Sequence, residues 1–458
     1  MGGSVDALLL SRIQFAFTAS YHYLFPPMSI GLSWMIVVIE GMYLWTREEK
    51  YRDMTKFWTK IFGLFFAMGV ATGFVQVFAF GNNWSSFSKF VGNVFGTLLA
   101  AEGLFAFFLE AGFIGIMLFG WDRVKPGFHY LSTILVSTGA TFSATWIVMA
   151  NSWMQTPAGF KIIGEGANKR AVIVNLWEVY FNPSFLDRLG HVLLGCGLMG
   201  VFLLMSIASY YLLRRKHLDF ARFTLKFSLV TSMIFLILQL ISADSSAREV
   251  AKYQPAKLAA MEALFETQTH APFSLIGYVD METQTVKGIS IPSLLSFLTY
   301  RDVEKAVTGL NAFPKEDWPN VPLVFYSYRT MIYAWGAMML YAIFGLVIWW
   351  MGKLETQRWF LWLAVFSIAF PYLANISGWF TAELGRQPWI VYNVMRTSEG
   401  VSKVIDASQV WGSIMMFIVI YALLGSLFAF LLNRKIHVGP IDEEEDLHYR
   451  DIYASEEI

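Results

Sequence analysis

The chain has 458 residues, of which 56% are hydrophobic, 17% aromatic and 15% charged. Soluble globular proteins carry about 25% charged residues, so this composition excludes that class and indicates a polytopic membrane protein. The 34 basic residues balance the 34 acidic ones, which argues against nucleic acid as a partner. The single cysteine, Cys196, excludes an intrachain disulfide and metal sites built on cysteines. Any metal would need histidine, methionine or carboxylate ligands.

Apolar runs long enough to cross a bilayer predict an all-α protein with about nine transmembrane helices. The runs lie near 9–45, 57–80, 94–120, 128–150, 188–213, 223–243, 326–352, 358–381 and 408–432. We therefore divide the chain into helices one to six (1–243), a long loop (244–325), helices seven to nine (326–432) and an acidic tail (433–458).

Short basic segments between these runs predict the orientation in the membrane. They lie at 46–60, 121–127, 214–226 and 353–358, and the positive-inside rule places them in the cytoplasm. The N-terminus and the long loop are then expected on the outer face, and the C-terminal tail in the cytoplasm.

The third run carries two carboxylates, Glu102 and Glu110, at membrane depth. An ionisable side chain is costly there and usually functional. Eight residues of helix bring both acids to one broad side, which indicates a line of protonatable sites. The alternative is a pair of acids that are neutralised by structural partners or protonated at rest.

Only two of the seven histidines, His22 and His191, are predicted inside the membrane. The others are expected in loops, at a cytoplasmic boundary or in the tail, namely His129, His217, His270, His437 and His448. A membrane-embedded imidazole needs partners for its ring nitrogens, and haem iron or a hydrogen bond could serve equally well. Pro26 lacks the N–H that would bond the carbonyl of His22, so the helix should bend there.

Three further segments contain candidate site residues. Glycines surround His191, where a flat macrocycle or a neighbouring helix could lie. Met331 follows Arg329 by two residues; a thioether can bind iron and an arginine can pair a haem propionate, although a lone methionine usually only packs. In the long loop, Lys257 and Glu262 could bind a polar headgroup or be solvated charges. Glu383 and Arg386 meet at the end of the eighth run, where an exposed ion pair is the alternative.

Several strings in the chain match one known family. They are SRIQFAFTASYHYLF, DMTKFWTKIFG, GVATGF, AEGLFAFFLEAGFIG, YRTM and GWFTAELGRQPW. Over nearly its whole length the chain resembles subunit I of the cytochrome bd-type quinol oxidases, in the form with a short quinol-binding loop. The resemblance implies an electrogenic quinol:oxygen oxidoreductase that reduces dioxygen to water without a dedicated proton pump.

The resemblance also implies three haems. A low-spin haem b would be held by His191 and Met331, with Arg329 close by. A high-spin haem b and a haem d, or a third haem b, would form a pair whose axial ligands are His22 and Glu383, with either macrocycle at either position. Arg386 and Trp379 would surround this pair.

The remaining implications concern protons, substrates and partners. Glu102 and Glu110 would deliver protons, and Lys257 and Glu262 would act in quinol oxidation. The expected partners are membrane quinol, dioxygen, a subunit II, a small single-span subunit and the lipid of the bacterial cytoplasmic membrane. Two positions depart from many relatives: Asn93 replaces an aspartate in VGNVFG, and Val77 stands where some have glutamate.

Two other classes of protein fit parts of this pattern. A haem-free proton-coupled transporter would also carry intramembrane glutamates and proline-broken helices. A haem-b membrane anchor could hold one haem between two histidines. Haem content and oxygen consumption distinguish all three.

Overall fold

The computed structural model describes residues 6–440, so His448 and the acidic tail beyond residue 440 lie outside the described part. Within these residues, nine continuous or broken helices are long and apolar enough to cross a membrane, which confirms the prediction. The helices of the first half are α1 (Ala7–His22), α2 (Pro26–Thr46), α3 (Glu49–Asn82), α4 (Ser85–Ala101), α5 (Phe108–Phe119), α6 (Pro126–Gln155), α7 (Leu176–Tyr180) and α8 (Phe185–Arg214).

The second half of the described residues contains the remaining helices and two of the three hairpins found in residues 6–440. Its helices are α9 (Leu218–Tyr253), α10 (Pro255–Glu262), α11 (Leu294–Tyr300), α12 (Val321–Trp350), α13 (Arg358–Phe366), α14 (Ala369–Leu384), α15 (Thr397–Gly400) and α16 (Ala407–Val438). The antiparallel pairs are β1 (Phe160–Ile163) with β2 (Arg170–Ile173), β3 (Phe273–Asp280) with β4 (Thr285–Ile291), and β5 (Trp389–Val391) with β6 (Met395–Arg396).

Three membrane helices are interrupted, and each interruption has a local cause. The first breaks between His22 and Pro26, as the missing proline N–H predicts. The third contains a π-helical turn, Glu102–Phe107, which starts at an intramembrane glutamate, and such turns often mark functional sites. The eighth breaks between α13 and α14, where Pro371 cannot bond the carbonyl of Ser367.

The helices α2 and α8 cross at the centre of the bundle with their backbones in contact. A Cβ at Gly31 would overlap the carbonyl of Cys196, and a Cβ at Gly200 would overlap the backbone of Gly31. Only glycine permits this approach. Around the crossing lies the main hydrophobic core, which includes the fully buried Trp58, Phe62, Phe202, Tyr211 and Phe360.

The loops divide the bundle into two unlike ends. The loop-rich end, made of residues 156–184, 254–320 and 385–406, holds all three hairpins together with α10 and α11. The basic end has only the short connections near residues 47, 122, 216 and 354. The segment from residue 244 is partly helical, because α9 continues to Tyr253 and α10 follows at once.

Candidate functional site

His22 lies at the end of α1 and packs on the GVATGF segment of α3. Its Nδ1 is 2.8 Å from Thr72 Oγ1, and its ring approaches Gly73 closely, since a Cβ there would be 3.4 Å from Cε1. The Thr72 hydroxyl donates its one proton to the Met68 carbonyl at 2.7 Å, so it must accept from His22 Nδ1–H. The Nε2 lone pair of His22 is therefore free, which is the form that ligates iron.

His191, on α8, faces two polar residues of α9. Its Nδ1 is 3.3 Å from Ser242 Oγ, and the Gln239 side-chain nitrogen lies within 3.1 Å of both ring nitrogens. The Gln239 Oε1 is buried without a partner among the described residues. Turning that amide so that its oxygen accepts from His191 Nδ1–H would satisfy both groups and leave Nε2 as the ligand.

Met331, on α12, packs against α14, and α14 also contacts the helix of His191. A Cβ at Gly378 would lie 2.8 Å from Met331 Sδ, so this glycine makes room for the thioether. Asn375, one turn earlier on α14, donates to the carbonyl of Gly195 at 3.3 Å. His191 and Met331 are therefore on different helices, α8 and α12, that share α14 as a neighbour. Trp379 follows on α14 and faces the ring of Phe15, with centroids 6.2 Å apart.

The carboxylate of Glu383 is held by three side chains. Its Oε1 accepts from Asn151 Nδ2 at 2.9 Å and from Gln155 Nε2 at 3.3 Å, and its Oε2 accepts from Arg386. Asn151 and Gln155 are one turn apart on α6, so they reach the same oxygen. The pair Glu383–Arg386 is not an exposed ion pair, because the side chains are only 17% and 4% exposed.

Two further cations, Lys257 and Arg188, reach this carboxylate through amides. Lys257 Nζ donates to Gln155 Oε1 at 2.5 Å, and an Arg188 guanidinium N–H donates to Asn151 Oδ1. Lys257 is buried, not solvated: burial lowers its pKa well below the usual value, and the charges of Arg188 and Arg386 lower it further.

Glu262 forms a buried ion pair with Arg329, which brings together two residues predicted for different roles. The guanidinium also lies over the rings of Phe273 and Phe325, each 4.7 Å from its centroid. Burial raises the pKa of Glu262 to about 7, although Arg329 acts in the opposite direction. This carboxyl can therefore exchange a proton near neutral pH.

Glu262 also lines a cavity of about 230 Å³ between the end of α10 and the β3–β4 hairpin. Other walls are formed by Phe265, Ser274, Ile276 and Gly288. Both apolar and polar groups therefore line this cavity.

Glu102 and Glu110 both face α6, as their spacing predicts. Ser143 Oγ donates to Glu102 Oε1 at 2.9 Å. A Cβ at Gly139, one turn earlier on α6, would lie 2.7 Å from Glu110 Cγ, so this glycine admits the buried acid. Glu102 and Glu110 therefore both contact the same side of α6, at positions one helical turn apart.

Asn93 and Val77, the two positions expected to differ from relatives, have different surroundings. Asn93 Oδ1 accepts from the backbone N–H of Ile173 at 2.9 Å, which ties α4 to β2. Val77 is 67% exposed on the surface of α3 and makes no polar contact.

His129 lies in the first turn of α6, beside the basic connection near residue 122, and its side chain is only 1% exposed. Its Nδ1 is 2.7 Å from Glu40 Oε1, and Thr133 Oγ1 donates to Glu40 Oε2 at 2.6 Å. The ring of Trp121 covers the imidazole, with centroids 3.9 Å apart. A second buried polar cluster therefore exists at the basic end.

Sequence reasoning missed several side chains of the site itself, because they act only through tertiary contacts. They are Thr72, Ser143, Asn151, Gln155, Arg188, Gln239 and Ser242. Glu40 had a signal that could have identified it, namely a carboxylate inside an apolar run.

The donor atoms suit a metal carried by a macrocycle better than a bare ion. Within residues 6–440 no three His, Cys, Asp or Glu side chains converge as a metal site. Haem iron, in contrast, needs only one or two protein ligands. Arg188, Arg329 and Arg386 each keep a buried guanidinium nitrogen without a partner in the described chain. Propionate carboxylates are suitable acceptors for these groups.

The fold and these side chains define a polytopic membrane protein with partly buried candidate haem ligands towards one end of its helix bundle. A family model for cytochrome bd terminal oxidase subunit I matches residues 10–440. The chain belongs to this family, which confirms the resemblance seen in the sequence. It is accordingly a subunit of a membrane-bound terminal oxidase, and the family implies haem cofactors.

Individual relatives agree over almost the full length. The cytochrome bd ubiquinol oxidase subunit 1 of Bacillus subtilis (strain 168) is 38% identical, with 97% of this chain and 96% of that protein covered. The cytochrome bd-II ubiquinol oxidase subunit 1 of Escherichia coli (strain K12) is 32% identical, with 95% and 97% covered. The bd oxidase structure from Geobacillus thermodenitrificans superposes with a TM-score of 0.87 at 32% identity, covering 96% of this chain and all of that one.

Proposed function

We propose that this subunit oxidises a membrane quinol and reduces dioxygen to water through three haems. The observation that carries the proposal is the set of partnerless buried N–H groups on Arg188, Arg329 and Arg386, beside candidate axial ligands. Buried donors are nearly always satisfied in folded proteins, and propionates would satisfy these.

Each haem has a natural place among the side chains. His191 and Met331 would hold a low-spin haem b, because two strong ligands favour electron transfer over oxygen binding. His22 and Glu383 would hold the haem pair, made of a high-spin haem b and either a haem d or a third haem b. These cofactors supply the redox and oxygen chemistry, and the chain supplies ligands, charge and protons.

The cavity beside Glu262 would bind the quinol ring. The carboxylate form of Glu262 would accept a proton from a quinol hydroxyl, with Arg329 stabilising its charge. Lys257, in the first turn of α10, would help to orient this helix through Gln155. The names of the relatives support quinol as the substrate, since two of them are ubiquinol oxidase subunits.

Protons for water formation would move along α6 through Glu110 and then Glu102. If quinol protons leave at the loop-rich end and these protons arrive from the basic end, charge crosses the membrane without a pump. The basic connections support a cytoplasmic basic end, with the N-terminus outside and the tail inside. We further infer a bacterial cytoplasmic membrane, a subunit II and a small single-span subunit.

The test is oxygen uptake by the purified complex when a soluble short-chain quinol is supplied. We expect oxygen consumption that depends on quinol, and its loss in His22→Ala and Glu383→Ala. A colourless complex that moves protons with a solute would favour the transporter. One haem per chain with no oxygen uptake would favour the membrane anchor.

A further inference from the structure

Arg188 is the cation of the site that lies on the same helix as His191. It precedes His191 by three residues, and side chains at this spacing are neighbours on a helix. Its guanidinium donates to an amide, Asn151, while its Nε is buried without a partner in the described chain. The adjacent Asp187 instead accepts from Ser246 at 2.6 Å.

Asn151 connects this guanidinium to the candidate ligand of the haem pair. It accepts from Arg188 through Oδ1 and donates through Nδ2 to Glu383 Oε1 at 2.9 Å. The chain Arg188–Asn151–Glu383 therefore runs from α8, through α6, to α14. Arg386 binds the other carboxylate oxygen, so the relay fixes the side of Glu383 that Arg386 does not.

We propose that Arg188 is a positioning residue and a fixed positive charge shared by the two haem positions. It orients Glu383 through Asn151, and it raises the reduction potential of the haem on His191. This inference rests on the proposed function. The physical reason is that iron loses positive charge on reduction, so a nearby cation favours the reduced state. For two unit charges roughly 12 Å apart at an effective dielectric constant of about 20, Coulomb's law gives about a tenfold change in an equilibrium constant, which sets the size of the expected effect.

Three variants separate charge from geometry. Arg188→Gln removes the charge but keeps an amide donor for Asn151. Arg188→Lys keeps the charge. Asn151→Leu breaks the relay to Glu383 and leaves the charge in place.

The measurement is a spectroelectrochemical titration of each haem in the whole complex. We expect Arg188→Gln to favour the oxidised low-spin haem about tenfold, which lowers its midpoint by about 59 mV for one electron. Arg188→Lys should keep the potential near that of the unmodified protein. Asn151→Leu should alter the spectrum of the haem pair and leave the low-spin potential in place.

Arg222→Gln is the matched control, because Arg222 is on α9 at the basic end and pairs with Glu355. It precedes Gln239, the neighbour of His191, by 17 residues, which is about 26 Å of helix. The proposal would be overturned if Arg188→Gln kept its full haem content and its haem potentials did not change. It would also be overturned if Arg188→Gln and the control Arg222→Gln shifted the potentials equally. Should Arg188→Gln lose its haems, an unchanged haem-pair spectrum in Asn151→Leu would overturn it instead. An unmodified complex without haem contradicts the proposed function, not this inference.

Discussion

Replacing Glu262 by glutamine should abolish the pH dependence of quinol oxidation between pH 6 and 8. Glu262 is buried beside Arg329 at the edge of the proposed quinol cavity, and burial raises its pKa to about 7. Only the ionised carboxylate can accept a proton from quinol, so kcat/KM should rise with pH through this range. Glutamine preserves the shape and one acceptor for Arg329 but cannot take the proton.

The size of the effect follows from the pKa. A carboxyl group with a pKa of about 7 is about one-tenth ionised at pH 6 and about nine-tenths ionised at pH 8. In the unmodified protein kcat/KM for quinol should therefore rise about tenfold between pH 6 and pH 8. A general base typically contributes at least about 100-fold to the rate. At pH 8, kcat/KM of Glu262→Gln should therefore be at least about 100-fold below that of the unmodified protein, and it should hardly change with pH.

The assay is oxygen uptake at limiting concentrations of a soluble quinol, in buffers of constant ionic strength from pH 5.5 to 8.5. Glu282→Gln is the matched control, because Glu282 is exposed in the turn of the same loop. Haem content must be equal in all samples. A variant that keeps both the rate and the rising pH profile would refute Glu262 as the proton acceptor.

Three further predictions concern single side chains. Met331→Leu should remove one ligand of the low-spin haem, so its optical spectrum should become high-spin; an unchanged low-spin spectrum would disprove the assignment. Glu102→Gln should slow turnover and raise its solvent isotope effect, and Ser143→Ala should do so less, because it removes one hydrogen bond but no proton carrier; normal turnover in both would leave the acids structural. Glu40→Ala should destabilise the protein by about 3–5 kcal/mol, since it strips a buried cluster of its carboxylate; an apparent Tm no lower than that of the exposed-site control Glu48→Ala would contradict this.

The fold could be predicted from the sequence because the membrane imposes simple rules. The lengths of the apolar runs predicted nine membrane spans, and Pro26 predicted the helix break after His22. The spacing of Glu102 and Glu110 predicted that both acids point to the same side, and α6 packs against that side. Each of these features depends on residues close together in the chain.

The support of the site could not be predicted, because it depends on contacts between distant segments. Asn151 and Gln155 resemble ordinary polar residues near a helix end until α14 brings Glu383 to them. His129 follows a basic loop, and its burial arises because Trp121 folds over it. Glu40 could have been identified from the sequence, because it is also an acid in an apolar run, and an ionisable side chain at membrane depth is usually functional.

We propose that side chains of this subunit hold three haems inside the membrane. Pyridine-haemochrome analysis of the purified complex, with protein quantified by amino-acid analysis, measures this directly. We predict three haems for each copy of the chain and a reduced-minus-oxidised spectrum that contains a low-spin b component. One haem or none for each copy, in a folded and fully assembled complex, would contradict the account.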